Sequence, residues 1–125
     1  MKYLCLIYLD EHQLAEMPPD EASDLNARHW DFNDGLRSTG HFLVAEALEP
    51  AAASACVRVR QGRPAITDGP FTEAKEMVAG FYLIEARDMD EALAIAGLIP
   101  SAAIGTVEVR PARQLIVKGR ESRWG

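Results

Sequence analysis

Residues 68–76 read DGPFTEAKE, and this segment joins two strand-like runs around which the rest of the chain is organised. Gly69 permits backbone angles that other residues avoid, and Pro70 fixes the φ angle of its own position. The carboxylate of Asp68 can accept hydrogen bonds from backbone amides further along the chain. We therefore expect a defined turn that presents an acidic group, followed by a short helical turn capped by Thr72.

The composition limits both the size of the fold and its partners. A chain of 125 residues forms one domain with a real core. Its 13 Lys and Arg residues against 19 Asp and Glu residues give a net charge of -6, which argues against nucleic acid as a partner. The apolar run at the start stops at Asp10, far short of the roughly 20 residues that a membrane span needs. We predict a cytoplasmic protein that binds neither nucleic acid nor membrane.

The cysteines and histidines form no recognisable metal or redox motif. Cys5 and Cys56 lie far apart without a second cysteine at close spacing, so both are expected to be free, buried thiols. The histidines His12, His29 and His41 are scattered along the chain. The sequence therefore predicts neither a metal site nor a cofactor.

The pattern of apolar residues predicts alternating strands and helices. Residues 2–9 and 80–86 are apolar on both faces, as strands in the middle of a sheet are. The predicted elements, in chain order, are strand 2–9, a polar connection over 10–17, helix 18–38, strand 41–48, hairpin 57–67, strand 80–86, helix 88–99 and strand 105–111.

This order predicts an α+β protein with a ferredoxin-like βαββαβ fold and an inserted β-hairpin. The domain is predicted to span residues 1–111, and residues 112–125 form a tail with at most a short edge strand before a loose end. Two helices cover only one face of such a sheet, although the other face is also apolar. A homodimer that packs two such faces together covers them most simply.

His29 lies in the middle of the core-facing stripe of the first helix and has two interpretations. It is either a packed side chain with a satisfied ring nitrogen, or a side chain aimed into a cleft between helix and sheet. The neighbouring Trp30 is interpreted as part of the solvated helix edge. The stripe itself contains Ala22, Leu25, His29, Phe32 and Leu36.

Residues 68–76 resemble the signature of the DGPF family of YCII-related proteins. The resemblance implies a dimeric α/β-barrel-like assembly of ferredoxin-like subunits, whose cleft between helices and sheet can hold small molecules. Related YCII-like proteins are proposed to use a His and Asp pair, and some family members are encoded beside extracytoplasmic-function sigma factors. The similarity continues along residues 1–8, 57–60, 80–84 and 105–111.

The candidate site residues come from the signature segment and from the first helix. By position, Asp68 corresponds to the motif carboxylate, and His29 is the candidate partner for a His and Asp pair. The histidine can move a proton near neutral pH, and the carboxylate can stabilise its charged form. The candidate ligand contacts are Phe71 and Tyr82 as apolar walls, Lys75 as a partner for an anionic group, and Glu76 as a further polar group.

Three functions agree with these residues. The first is a cofactor-free acid/base enzyme that acts on a small molecule and uses the signature carboxylate. The second is a non-catalytic ligand-binding or regulatory module, linked to an extracytoplasmic-function sigma factor. The third is a purely structural role for the turn. No serine or cysteine motif lies beside a base in the sequence, so covalent catalysis has no support.

Overall fold

The computed structural model describes residues 1–125 as a four-stranded sheet, a separate two-stranded sheet and three α-helices. Two short 3₁₀ helices, at Ala51–Ala53 and Pro100–Ala103, lie in the connections. The strands are β1 (Lys2–Asp10), β2 (Phe42–Ala47), β3 (Ala55–Arg60), β4 (Arg63–Asp68), β5 (Glu76–Glu85) and β6 (Thr106–Pro111), and the helices are α1 (Glu11–Glu16), α2 (Pro19–Ser38) and α3 (Met89–Ala96).

The large sheet has the strand order β2-β5-β1-β6, and all of its neighbouring pairs are antiparallel. β1 and β5 occupy the middle, which confirms the position predicted from their two apolar faces. Cys5 of β1 lies opposite Tyr82 on one side and Val109 on the other. This is an α+β arrangement compatible with a ferredoxin-like fold.

The hydrophobic core lies between one face of this sheet and the helices. Along β1, buried residues alternate with half-buried ones, so every second side chain enters the core. Cys5 and Ile84 have no exposed surface, and burial raises the pKa of the Cys5 thiol to about 11. The core cluster contains Tyr3, Cys5, Ile7, Leu9, Leu36, Tyr82, Ile84, Ala86, Ala92, Ile95, Ala96 and Ile99.

α2 begins and ends where its sequence signals indicate, and α3 begins where its cap indicates but ends at Ala96, before Gly97, and not at the predicted residue 99. α2 begins at Pro19, where the missing N–H costs no helical hydrogen bond, and runs to Ser38. The side chain of Asp88 accepts a hydrogen bond of 2.9 Å from the backbone N–H of Glu91, which confirms the predicted cap of α3.

Two further local predictions were wrong. The connection over residues 10–17 contains the short helix α1, because the side chain of Asp10 accepts a hydrogen bond from the backbone N–H of His12 and caps it. The signature segment contains no helical turn after Thr72, because residues 73–75 are irregular and Glu76 already begins β5.

β3 and β4 pair only with each other and form the two-stranded sheet. Gln61 and Gly62, at the tip, have φ angles of 52° and 73°, as a tight turn between two strands requires. The pairing places Val57 beside Ile66, and both side chains are exposed. This sheet therefore adds almost nothing to the core of the subunit.

The tail folds back on itself after β6. Leu115 and Arg123 exchange two backbone hydrogen bonds, of 2.8 and 3.2 Å, and form an isolated bridge in place of an edge strand. The ammonium of Lys2 lies 5.6 Å from the ring centre of Trp124, which holds the end of the tail near β1. None of the helices has the length and apolar character needed to cross a membrane.

We predict that Gly105→Ala destabilises the protein by about 1–3 kcal/mol, because an added methyl group at that position overlaps the backbone oxygen of Tyr8 and the side chain of Leu9. Gly35→Ala is the matched control. A methyl group on Gly35, in α2, meets no atom within 4 Å and should stabilise the helix by about 0.5–1 kcal/mol. Urea unfolding of both variants checks this, and equal stability of Gly105→Ala and the wild type would contradict it.

Candidate functional site

A cleft of about 520 Å³ opens between α2 and the large sheet. Strands β2 and β5 form its floor, because residues 45–48 and 79–82 line it. Of the 17 lining residues 11 are hydrophobic, which is typical of a small-molecule site. The polar or aromatic side chains that face it from α2, β5 and the 3₁₀ helix are Asn26, His29, Trp30, Asn33, Tyr82 and Ser101.

His29 contacts two hydroxyl groups through its two ring nitrogens. Its Nδ1 lies 2.8 Å from the hydroxyl oxygen of Tyr82, and its Nε2 lies 2.7 Å from Oγ of Ser101. The Tyr82 hydroxyl in turn donates to Oδ1 of Asn33 at 2.6 Å. Four side chains from α2, β5 and the 3₁₀ helix therefore form one continuous hydrogen-bonded chain.

The donors and acceptors of this chain fix the protonation of His29. Because the single hydroxyl proton of Tyr82 is donated to Asn33, the Tyr82 oxygen must accept from His29, and Nδ1 carries the proton. In the neutral ring Nε2 then has a free lone pair and accepts from the Ser101 hydroxyl. The imidazole is thus held with a basic nitrogen toward Ser101.

Burial keeps both central groups in their uncharged forms. Partial burial lowers the pKa of His29 below 6.5, and the positive charge of Arg28 lowers it further. Burial raises the pKa of Tyr82 to about 12, so its hydroxyl keeps the proton that it donates to Asn33. At neutral pH the cleft therefore presents an uncharged base.

Aromatic contacts hold the rings of the network in place. The His29 and Tyr82 rings are stacked, with centroids 6.1 Å apart and planes 18° from parallel. Phe32 packs edge-on against Tyr82 with centroids 5.6 Å apart. The structure combines the two interpretations of His29. The ring is packed and its nitrogens are hydrogen-bonded, and it also lines the cleft.

The signature segment lies elsewhere on the subunit. Asp68, at the end of β4, is exposed, does not line the cleft, and is not a hydrogen-bond partner of His29. Phe71 is 80% exposed and lines a second cavity, also of about 520 Å³, between the two-stranded sheet and residues 48–53. The structure thus brings His29 to Tyr82 and leaves Asp68 apart from both.

The other two predicted ligand contacts line neither cavity. Lys75 is exposed. Glu76 begins β5, where Oε1 accepts a hydrogen bond of 3.0 Å from the hydroxyl of Thr106. Across the chain no group of three or more His, Cys, Asp or Glu side chains is arranged to hold a metal ion.

Four site residues were missed in the sequence, and one of them is Asn26, one turn before Trp30 on α2. Asn33 lies four residues after His29, which is one helical turn away. Helical spacing could therefore have identified Asn33 as a neighbour of His29. Trp30 was assigned to the solvated helix edge and is indeed 75% exposed, but it also lines the cleft. Ser101 follows Pro100 in a short 3₁₀ helix and comes near His29 only through the tertiary fold, so no local pattern indicates it.

We predict that His29 makes the protein less stable in acid. Because its folded pKa lies below 6.5, the unfolded chain binds more protons, and the contribution of His29 is complete above about 6.5 and declines as the pH falls below it. Urea unfolding over a pH series should show the free energy of unfolding of the wild type falling faster in acid than that of His29→Asn. A wild type that gains stability in acid relative to His29→Asn would contradict this prediction.

The chain is similar to proteins of known sequence and structure. A solved structure of the 5-chloro-2-hydroxyhydroquinone dehydrochlorinase from Burkholderia phenoliruptrix AC1100, in complex with 2,5-dihydroxybenzoquinone, has a TM-score of 0.54 over 90% of this chain and 94% of that chain, at 17% identity. An uncharacterized protein of Rhizobium meliloti (strain 1021) is 34% identical over 117 residues, which cover 89% of this chain and 91% of that protein. The model of the YCII-related domain matches residues 1–116, and the chain therefore belongs to the YCII-related family.

Proposed function

We propose that the cleft binds a small molecule and that His29 moves one of its protons without a cofactor. The observation that carries this proposal is the uncharged imidazole of His29, fixed between Tyr82 and Ser101 in the wall of a cavity of about 520 Å³. A general base works best when its pKa lies near the working pH and its free lone pair is aimed. Partial burial lowers the pKa of His29 and keeps the ring neutral, and the lone pair of Nε2 is aimed at the Ser101 hydroxyl.

The route of the proton passes through Ser101. A proton leaving the bound molecule reaches Oγ of Ser101 while the hydroxyl proton of Ser101 passes to Nε2 of His29, 2.7 Å away. The ring is then charged, and its Nδ1–H donates to the Tyr82 oxygen, whose own proton lies toward Asn33. Reversing the same steps returns a proton to the product. Ser101 acts here as a relay and forms no covalent bond with the ligand.

The structural neighbour is a second support for acid/base chemistry. It is a dehydrochlorinase solved with a dihydroxybenzoquinone, and dehydrochlorination removes a proton together with chloride. The similarity extends over most of both chains at the level of the fold. We therefore propose that this chain also acts on a small ring compound, with His29 as the base.

The signature carboxylate remains a separate prediction. Asp68 as a catalytic group, and Phe71, Lys75 and Glu76 as ligand contacts, require a ligand or a second subunit that reaches the exposed turn. The second cavity, lined by Phe71, adjoins the cleft because Leu48 lines both. A ligand that extends from one cavity to the other can therefore reach the signature segment.

We also propose that the chain works as a homodimer. The face of the large sheet that points away from the helices carries half-buried apolar residues and has no helix over it. Burying such a face against a second copy removes apolar surface from water, as the two-sheet packing of many dimers does. The residues of this face include Leu4, Leu6, Tyr8, Phe81 and Leu83.

The main alternative is a non-catalytic binding or regulatory module, associated with an extracytoplasmic-function sigma factor. In that case the cleft holds the same kind of molecule, and the network around His29 only orients it. The two functions differ in whether a bound molecule is chemically changed.

A ligand screen followed by turnover measurements tests the proposal. Thermal shift identifies small molecules that stabilise the wild type, and proton NMR in D₂O then follows proton loss or product formation from each of them. We expect His29→Asn to bind such a molecule and to lower its turnover by roughly 100-fold or more, since a positioned general base contributes at least that much. Ser101→Ala should also lower turnover, because it removes the hydroxyl that relays the proton.

Asp68→Asn distinguishes the His29 network from the signature carboxylate, because it removes the charge of Asp68 without touching the cleft. Full turnover in Asp68→Asn with lost turnover in His29→Asn supports the network as the catalytic centre. Equal turnover in His29→Asn and the wild type would refute the proposal. Binding without chemical change in the wild type would favour the binding module.

A further inference from the structure

The cleft contains almost no charge. Glu46 is the one acidic residue among those that line the cleft, and no Lys or Arg lines it. Ala45 lies opposite Tyr82 and Glu46 lies opposite Phe81, so the alternation along β2 directs Glu46 to the other face of the sheet. With a net charge of -6 on the whole chain, nothing in the cleft favours an anionic ligand.

The polar groups that face the cleft are uncharged donors and acceptors. Two of them, Asn26 and Asn33, are amides, and each amide offers both an N–H₂ group and a carbonyl oxygen. His29, Tyr82 and Ser101 already bind one another, whereas no side-chain hydrogen bond within the subunit uses Asn26. The amide of Asn26 is therefore available to hydroxyl or carbonyl groups on a ligand.

Trp30 is the least expected member of the cleft wall. It lies four residues after Asn26 and three before Asn33, so the three side chains follow one face of α2. Trp30 lines the cleft while 75% of its surface is exposed, which places the indole where the cleft opens to water. A large aromatic side chain left exposed beside a cavity offers a flat surface that a flat ligand can cover.

Resting on the function proposed above, the geometry points to an uncharged, planar ring with hydroxyl or carbonyl substituents as the ligand of this cleft. The ring stacks on the Trp30 indole, and its polar groups bind the amides of Asn26 and Asn33. Trp30 thereby selects for flatness, and the absence of cations selects against carboxylates and phosphates. The acid/base network of His29 lies deeper in the same cleft.

Three matched probes separate charge from shape: 4-hydroxybenzamide is planar and uncharged, 4-hydroxybenzoate is planar and anionic, and trans-4-hydroxycyclohexanecarboxamide is uncharged but not planar. Each is titrated into the full chain while NMR follows the indole N–H signals of its two tryptophans. Trp30→Phe assigns the Trp30 signal by its loss, and Trp124, in the tail, serves as the internal reference. We expect 4-hydroxybenzamide to shift the Trp30 signal saturably and to bind at least tenfold more tightly than either other probe.

Variants of Trp30 test its role directly. Trp30→Ala should weaken binding of 4-hydroxybenzamide at least tenfold, whereas Trp30→Phe, which keeps a flat ring, should stay within about threefold of the wild type. Equal binding of the benzoate, or wild-type affinity in Trp30→Ala, would overturn the inference. Sedimentation of Trp30→Ala is measured alongside, because a change in its oligomeric state with unchanged affinity would make Trp30 a subunit contact and would also overturn it.

The two proposals fail in different ways. His29→Asn should still bind 4-hydroxybenzamide, because the ring contacts do not require the imidazole to move a proton. Normal probe binding with no chemical change of any ligand would refute only the acid/base function. Lost turnover in His29→Asn together with a failure of planar neutral probes to bind would refute only the ligand class.

Discussion

The buried hydroxyl of Tyr82 is the constraint on which the cleft depends. Tyr82 is 3% exposed on the central strand β5, and a buried hydroxyl without hydrogen bonds is costly. Helix α2 supplies both partners one turn apart, with Asn33 accepting the proton and His29 donating to the oxygen. The same two contacts that satisfy Tyr82 therefore fix the rotation of α2 against the sheet and the tautomer of His29.

This constraint also explains the character of the cleft. Partial burial and the positive charge of Arg28 lower the pKa of His29, so its ring stays neutral. Burial raises the pKa of Tyr82 to about 12, so Tyr82 stays uncharged as well. The wall of the cleft consequently holds hydrogen-bonding groups without fixed charges. Such a wall can orient an uncharged ligand and accept a proton from it, and it discriminates by shape and by hydrogen bonds.

The sequence predicted the framework of the fold better than its site. The alternation of apolar residues along β1 and β5 identified the central strands, and the cap at Asp88 marked the start of α3, because these signals are local. The place of His29 on the core-facing stripe was also local. The partnership of His29 with Ser101 was not, because 72 residues separate them and the contact exists only once the chain is folded.

The signature segment shows the opposite case, in which a conspicuous local motif did not locate the cleft. Its conspicuous residues 68–76 led to Asp68 as the main polar group, yet this turn lies outside the cleft, which is lined by residues that no motif marks. A sequence motif identifies the family more readily than it identifies which side chains come into contact in the fold. Trp30 illustrates the same point. The sequence assigned it to the exposed edge of a helix, and the packing of α2 makes its side chain part of the wall of the cleft.

The most direct test is nitrogen-15 NMR of the His29 ring in the wild type and in Tyr82→Phe. The wild type is expected to carry the proton of its neutral ring on Nδ1, and Tyr82→Phe, which removes the hydroxyl group that accepts from Nδ1, is expected to abolish this preference. A neutral ring with its proton on Nε2 in the wild type, or the same Nδ1 preference in Tyr82→Phe, would contradict it.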